Sequence, residues 1–120
     1  MNSLSGMSVL VLEDNPVLST DLCFLIEDAG ATVVGPFRTL RDGLRSVSSH
    51  HVDCAILDVE LLDGKSFPIA GILEKEGVPF LFYSAKGSSG YEAAKLHGAP
   101  ILSKSHSSRD ALDYLANLIR

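Results

Sequence analysis

Glu13, Asp14, Asp58, Ser84 and Lys104 draw attention because each comes directly at the end of a short apolar run. Taken singly they are ordinary. An acid at such a place is a turn former or a helix cap, Ser84 is a loop hydroxyl, and Lys104 is a solvated charge. Their conjunction is not ordinary. Asp58 follows Ala55-Ile56-Leu57, where an unpartnered charge is costly to bury. Three carboxylates brought together repel one another unless a cation joins them. Mg²⁺ is the hard cation that suits a few carboxylates plus water, and its open positions accept phosphate oxygens.

The rest of the chain must bring these residues to one place. Ser8 to Glu13, Ala31 to Gly35, Val52 to Val59, Val78 to Ala85 and Pro100 to Ser103 read as strands. Continuous apolar runs of this kind suit strands covered on both faces. Between them lie amphipathic stretches with start and stop signals. Asn15 caps a first helix that carries Pro16 in its first turn and ends at Gly30. Thr39 with Asp42, and Ser107 with Asp110, have capping-box spacing. Leu62-Asp63-Gly64-Lys65 reads as a turn before a helix from Ser66 to Gly77, and a short helix covers Tyr91 to His97. Five βα units in strict alternation predict a parallel sheet with helices on both faces, a three-layer α/β sandwich. Sites in such sheets lie outside the carboxyl ends of the strands. That rule sends Glu13, Asp14, Asp58, Ser84 and Lys104 to one rim.

The segments VLVLEDN, AILDVEL followed by DG, FYSA and GAPILSK, in this order, closely resemble the receiver domain of two-component response regulators. The resemblance covers Ser8 to Arg120, leaving residues 1–7 as an N-terminal arm. It implies the flavodoxin-like (βα)5 fold with strand order 2-1-3-4-5. It also implies that Asp58 is the phosphoacceptor, attacking the phosphorus of a phosphohistidine. Asp14 would hold Mg²⁺ directly and Glu13 through water, with Asp58 and the backbone carbonyl of Glu60 as further ligands. Lys104 would pair with the phosphoryl group, and Ser84, with Ala85 beside it, would bind a phosphoryl oxygen as the switch. The partners implied are a sensor histidine kinase or histidine phosphotransfer protein, and a downstream protein docking on the face of the fourth helix, fifth strand and fifth helix. The role is that of a cytoplasmic switch, monomeric or weakly dimeric, whose only chemistry is its own phosphorylation and hydrolysis.

The sequence departs from the family in four places. Ser105 stands where a proline usually follows the lysine, so the Lys104–Ser105 bond is either trans or a costly cis. Leu102 stands where the family carries its switch aromatic, with Tyr83 and Tyr91 as substitute relays. Tyr83 should point to the face of the strand opposite Ser84, where ordinary core packing is its other role. The glycine- and serine-rich segment from Ser84 to Gly98 resembles an alphaproteobacterial subgroup that pairs with HWE-type kinases. Glu60 and Lys86 flank the path of the hydrolytic water in the family, and a pair between them would tune the phosphoryl lifetime.

Two other classes match parts of the pattern. Asp58-Val59-Glu60 faintly resembles the nucleophile motif of haloacid-dehalogenase-type phosphatases, but Asp58 follows the third strand rather than the first and no late acidic pair exists. A pseudo-receiver would keep the fold and bind a partner without phosphorylation. Net charge is −5, from 15 acidic and 10 basic residues without a basic cluster, which argues against a nucleic-acid face. No apolar run is long enough to span a membrane. Cys23 and Cys54 each sit in an apolar run and read as buried free thiols, and His50-His51 as a solvated loop pair.

Overall fold

The structure, a computed structural model, describes residues 4–85 and 91–119, apart from the side chains of Tyr91 and Leu96. In chain order the elements are β1 (Ser8–Leu12), α1 (Pro16–Asp28), β2 (Thr32–Phe37), α2 (Leu40–Ser49) and β3 (Cys54–Leu57). A small hairpin of β4 (Glu60–Leu61) and β5 (Gly64–Lys65) precedes α3 (Phe67–Glu76). Then come β6 (Phe80–Ser84), α4 (Tyr91–Ala94) running into a 3₁₀ turn (Lys95–His97), β7 (Ile101–Ser103) and α5 (Ser108–Ile119).

The five long strands form a parallel sheet in the order β2-β1-β3-β6-β7, which is 2-1-3-4-5 when they alone are counted. Period-two alternation splits their side chains between two layers. Val9, Val11, Cys54, Ile56, Leu81 and Tyr83 face α1 and α5, meeting Leu22, Ile26, Ala111, Leu112 and Leu115. Leu10, Leu12, Ala55, Leu57, Phe80 and Phe82 face the other layer, where Ile69, Ala70 and Leu73 of α3 cover them and Leu40, Leu44 and Val47 of α2 pack alongside. Each fully buried aliphatic or aromatic side chain contributes about 1.5–3 kcal/mol, so these two layers hold the sheet flat against its helices. Gly43 lets α2 approach closely, since a Cβ there would lie 2.6 Å from Ile69 Cδ1.

The caps form as the spacing predicts. Asn15 Oδ1 accepts from the Val17 and Leu18 amides at 3.0 and 3.1 Å. Thr39 Oγ1 accepts from Asp42 N, and Ser107 and Asp110 cap each other. Other expectations need correction. Of the stretch read as a turn, Leu62 and Asp63 form it, while Gly64 and Lys65 are strand, pairing back on Leu61 and Glu60 as the β4–β5 hairpin. The short fourth helix is one α-helical turn finished by the 3₁₀ turn. The second strand runs on through Phe37, past a cis Gly35–Pro36 bond and an irregularity in its register with β1. Cys54 is buried but Cys23 is only half-buried on α1. Leu4, within the segment read as an arm, is 1% exposed and packs in the α1–α5 layer.

Candidate functional site

The sheet ladder continues one residue beyond the strands at the carboxyl rim. Glu13 N donates to Phe37 O at 3.0 Å, Asp58 N to Leu12 O at 2.8 Å, and Lys104 N to Ser84 O at 2.9 Å. The backbones of Glu13, Asp58, Ser84 and Lys104 are therefore fixed side by side, at the spacing of adjacent strands. Their side chains meet. Lys104 Nζ lies 2.8 Å from Asp58 Oδ2 and 3.0 Å from Glu13 Oε2. Ser84 Oγ donates to Asp58 Oδ1 at 3.1 Å, and Glu60 N approaches the same oxygen at 3.4 Å. Glu13, Asp58 and Ser84 are buried, at 1%, 5% and 1% exposure.

Buried charge governs the chemistry here. Burial first, and then the negative charge of Asp58, pushes the Glu13 carboxyl up to about 7, although the Asn15 amide and Lys104 oppose the shift. Burial alone would depress the Lys104 ammonium. Its bond to Asp58 and the charges of Asp58 and Glu13 outweigh that, and the net shift is upward. One ammonium is thus shared between two crowded carboxylates. One oxygen each from Glu13, Asp14 and Asp58 lie within 4.8 Å of one another. That spread suits a hard cation that keeps some of its water.

The loops around the site are tied together. Glu13 Oε2 also accepts from Asn15 N, so the acid at the end of β1 helps set the turn that starts α1. Arg38 Nε donates to Asp14 O at 3.3 Å, and Arg38 O accepts from Leu62 N in the hairpin. Asp63, at the hairpin tip, caps α2 from a distance: its carboxylate accepts from Leu40 N at 2.6 Å and Arg41 N at 3.1 Å. Those amide bonds, led by Leu40, hold Asp63 below the usual carboxylate range. The capping of α2 by Asp63 had no local sequence signal, because donor and acceptor are more than twenty residues apart.

The remaining predicted residues fall as follows. Glu60 pairs with Lys65 across the hairpin at 3.2 Å. Lys86, its expected partner, lies outside the described residues, as does the side chain of Tyr91. Ala85 is exposed just past β6. Leu102 is half-buried against the α1–α5 layer. Tyr83 is buried in that same layer, as the alternation requires, and its hydroxyl donates to the His106 carbonyl. The Lys104–Ser105 bond is trans, the cis bond among the described residues being Gly35–Pro36. His50 and His51 are exposed, His51 resting 2.7 Å from Asp53.

No family model matches the chain. Among solved structures, SdrG from Sphingomonas melonis Fr1 is 31% identical with a TM-score of 0.76, covering 96% of this chain and 98% of that one. The non-phosphorylated HemR receiver domain from Leptospira biflexa is 26% identical with a TM-score of 0.79, covering 94% of each chain. The chain belongs to the response regulator receiver family. The receiver domain of the sensor histidine kinase PA1611 from Pseudomonas aeruginosa, with a magnesium ion in its active-site cleft, shares the fold at 20% identity and a TM-score of 0.81, over 96% of this chain and 98% of that one. Among curated relatives, the regulator PhyR from Methylorubrum extorquens is 31% identical over 80 residues, or 64% of this receiver. The receiver spans 30% of the length of PhyR and 26% of the length of a second relative, a methylesterase from Natronomonas pharaonis. Among the described residues, no helix is long and apolar enough to cross a membrane.

Proposed function

We propose that this receiver accepts a phosphoryl group on Asp58 from a phosphohistidine and uses the change to alter a protein-binding surface. The observation that carries the reading is the set of partners around Asp58: an ammonium at 2.8 Å, a hydroxyl at 3.1 Å, and two further acids whose oxygens share one small space with its own. An Asp58 oxygen attacks phosphorus while the phosphorus–nitrogen bond of the donor breaks. The bond's electron pair goes to the departing imidazole, and an acyl phosphate is left on Asp58. Lys104 neutralises one phosphoryl oxygen, and Ser84 turns its hydroxyl from the carboxylate to another. Phosphorylation adds roughly one to two negative charges and strong acceptors, enough to shift a two-state loop.

The donor set fits Mg²⁺. Asp14, Asp58 and the Glu60 carbonyl would hold the ion, with Glu13 reaching it through water. Bound there, it would offset negative charge as phosphoryl oxygens approach. Glu60 and Lys86 are proposed to tune the lifetime of the acyl phosphate by controlling water access, Glu60 being shared with Lys65 in the unphosphorylated state. The partners are a sensor histidine kinase, of the HWE or a related type, or a histidine phosphotransfer protein, and a downstream protein on the α4–β7–α5 face. The location that goes with these partners is the cytoplasm. The receiver unit runs over residues 8–120, with the preceding segment packing through Leu4.

The test is NMR with beryllofluoride as the phosphoryl mimic, with and without Mg²⁺. Mg²⁺-dependent shifts at Asp58, Ser84 and Lys104, absent in Asp58→Ala, are expected. A folded protein that shows none of them is a pseudo-receiver, binding its partner without phosphorylation.

A further inference from the structure

Tyr83 carries a hydroxyl where the α1–α5 layer needs only a ring. A buried phenolic oxygen without a partner is costly, so its partner is informative. That partner is the His106 carbonyl, in the turn that immediately follows Lys104. The turn itself is held by exposed or half-exposed groups. Ser105 N and Oγ both donate to Ser103 Oγ, at 3.2 and 3.0 Å, and His106 N donates to Ser103 O at 3.0 Å. Water competes with bonds of that kind. Among these contacts, the tie from Tyr83 is the one whose side chain is buried, at 1% exposure. Tyr83 is also the residue before Ser84, on a strand paired with β7, where Tyr83 sits opposite Leu102 and Ser84 opposite Ser103.

We infer that Tyr83 is a positioning residue for Lys104: its hydroxyl pins the Lys104–Ser107 turn from beneath, so that the ammonium stays over Asp58 in a chain that has serine, not proline, after the lysine. Through the same bond, any movement of the Ser84 strand end is passed to the turn that leads into α5. The inference rests on the phosphoacceptor reading of Asp58 for its functional consequence, but the tie itself can be judged separately.

The test is Tyr83→Phe in the full chain, which keeps the ring and removes one oxygen. In Mg²⁺-free protein, backbone order parameters at residues 104–107 should fall from the rigid value of about 0.85 toward about 0.6, with α5 beyond its first turn unchanged. Unchanged values at 104–107 overturn the inference, whether or not Asp58 ever accepts a phosphoryl group. With a small-molecule phosphodonor and Mg²⁺, the saturated phosphorylation rate should drop about fivefold to tenfold, while Mg²⁺ affinity stays within about twofold. In a Lys104→Ala background, Tyr83→Phe should add no further loss. A wild-type rate, or losses that multiply, contradict a role exerted through Lys104. If Tyr83→Phe does not fold, the wild-type hydroxyl decides: a proton resonance protected from exchange supports the tie, and one in fast exchange with water overturns it.

Discussion

Replacing Lys104 with methionine removes the charge that Glu13 and Asp58 share while keeping most of the side chain's bulk. The Lys104 side chain as a whole is 22% exposed, against 1% and 6% for the side chains of the two acids it touches. Removing one partner from a buried ion pair costs roughly 3–5 kcal/mol. Part of that is recovered here, because water reaches Lys104 and because Glu13 takes a proton near neutrality. The expected loss at pH 8 is about 2–3 kcal/mol. The loss should depend on pH in a defined direction. A carboxyl raised in the folded state binds its proton more tightly there, so its stabilising contribution is complete below the unfolded value of 4.5 and disappears as pH rises through about 7. Without the ammonium the folded value climbs further and the penalty at high pH grows. At pH 5.5 Glu13 is protonated, and Asp58 keeps its Ser84 and Glu60 donors, so the deficit should shrink to about 1–1.5 kcal/mol. Urea denaturation of wild type and Lys104→Met at both pH values measures it. A variant as stable as wild type at pH 8, or a deficit equal at the two pH values, would refute the claim that this ammonium holds the two acids together.

Three further outcomes follow from the same structure. Asp53 sits below the usual carboxylate range, chiefly through the Ser8 amide and also through His51, although burial opposes the shift. The stability gap between wild type and Asp53→Asn should therefore be full above pH 5 and close as pH falls through the carboxylate range, as urea titrations from pH 6 to 3 would show. Asp63→Ala frees the amides of Leu40 and Arg41, so hydrogen exchange should quicken at residues 40 and 41 and leave β1 and β3 protected. Burial, and then the charge of Asp53, pushes the Cys54 thiol up to about 12, so iodoacetamide at pH 8 should label native protein at half-buried Cys23 and leave Cys54 untouched.

Much of this architecture is legible in the chain because its signals are local. Asn15, Thr39 and the Ser107/Asp110 pair cap helices through residues two or three positions away. The strand runs place Glu13, Asp58, Ser84 and Lys104 at one rim through the topology of parallel sheets alone. What escaped the sequence is long-range or two-sided. Asp63 caps a helix that precedes it in the chain, and no spacing rule reaches that far. Glu60 finds Lys65 because the DG segment closes a hairpin, and the turn signal carries no information on which residues its arms pair. Leu4 is core because the surface beneath it, between α1 and α5, is complete only in the folded chain. Alternation assigns Tyr83 to the face of the strand opposite Ser84, yet its hydroxyl's destination depends on a turn more than twenty residues away.

The central claim is that Asp58 is a phosphoacceptor, and intact-mass spectrometry after incubation with a small-molecule phosphodonor tests it most directly. The account predicts a mass gain of one phosphoryl group that needs Mg²⁺, is lost in Asp58→Asn, and reverses in alkali as an acyl phosphate does. No mass gain in folded protein, from the small donor or from a phosphorylated kinase, would contradict it, as would a gain that persists in Asp58→Asn.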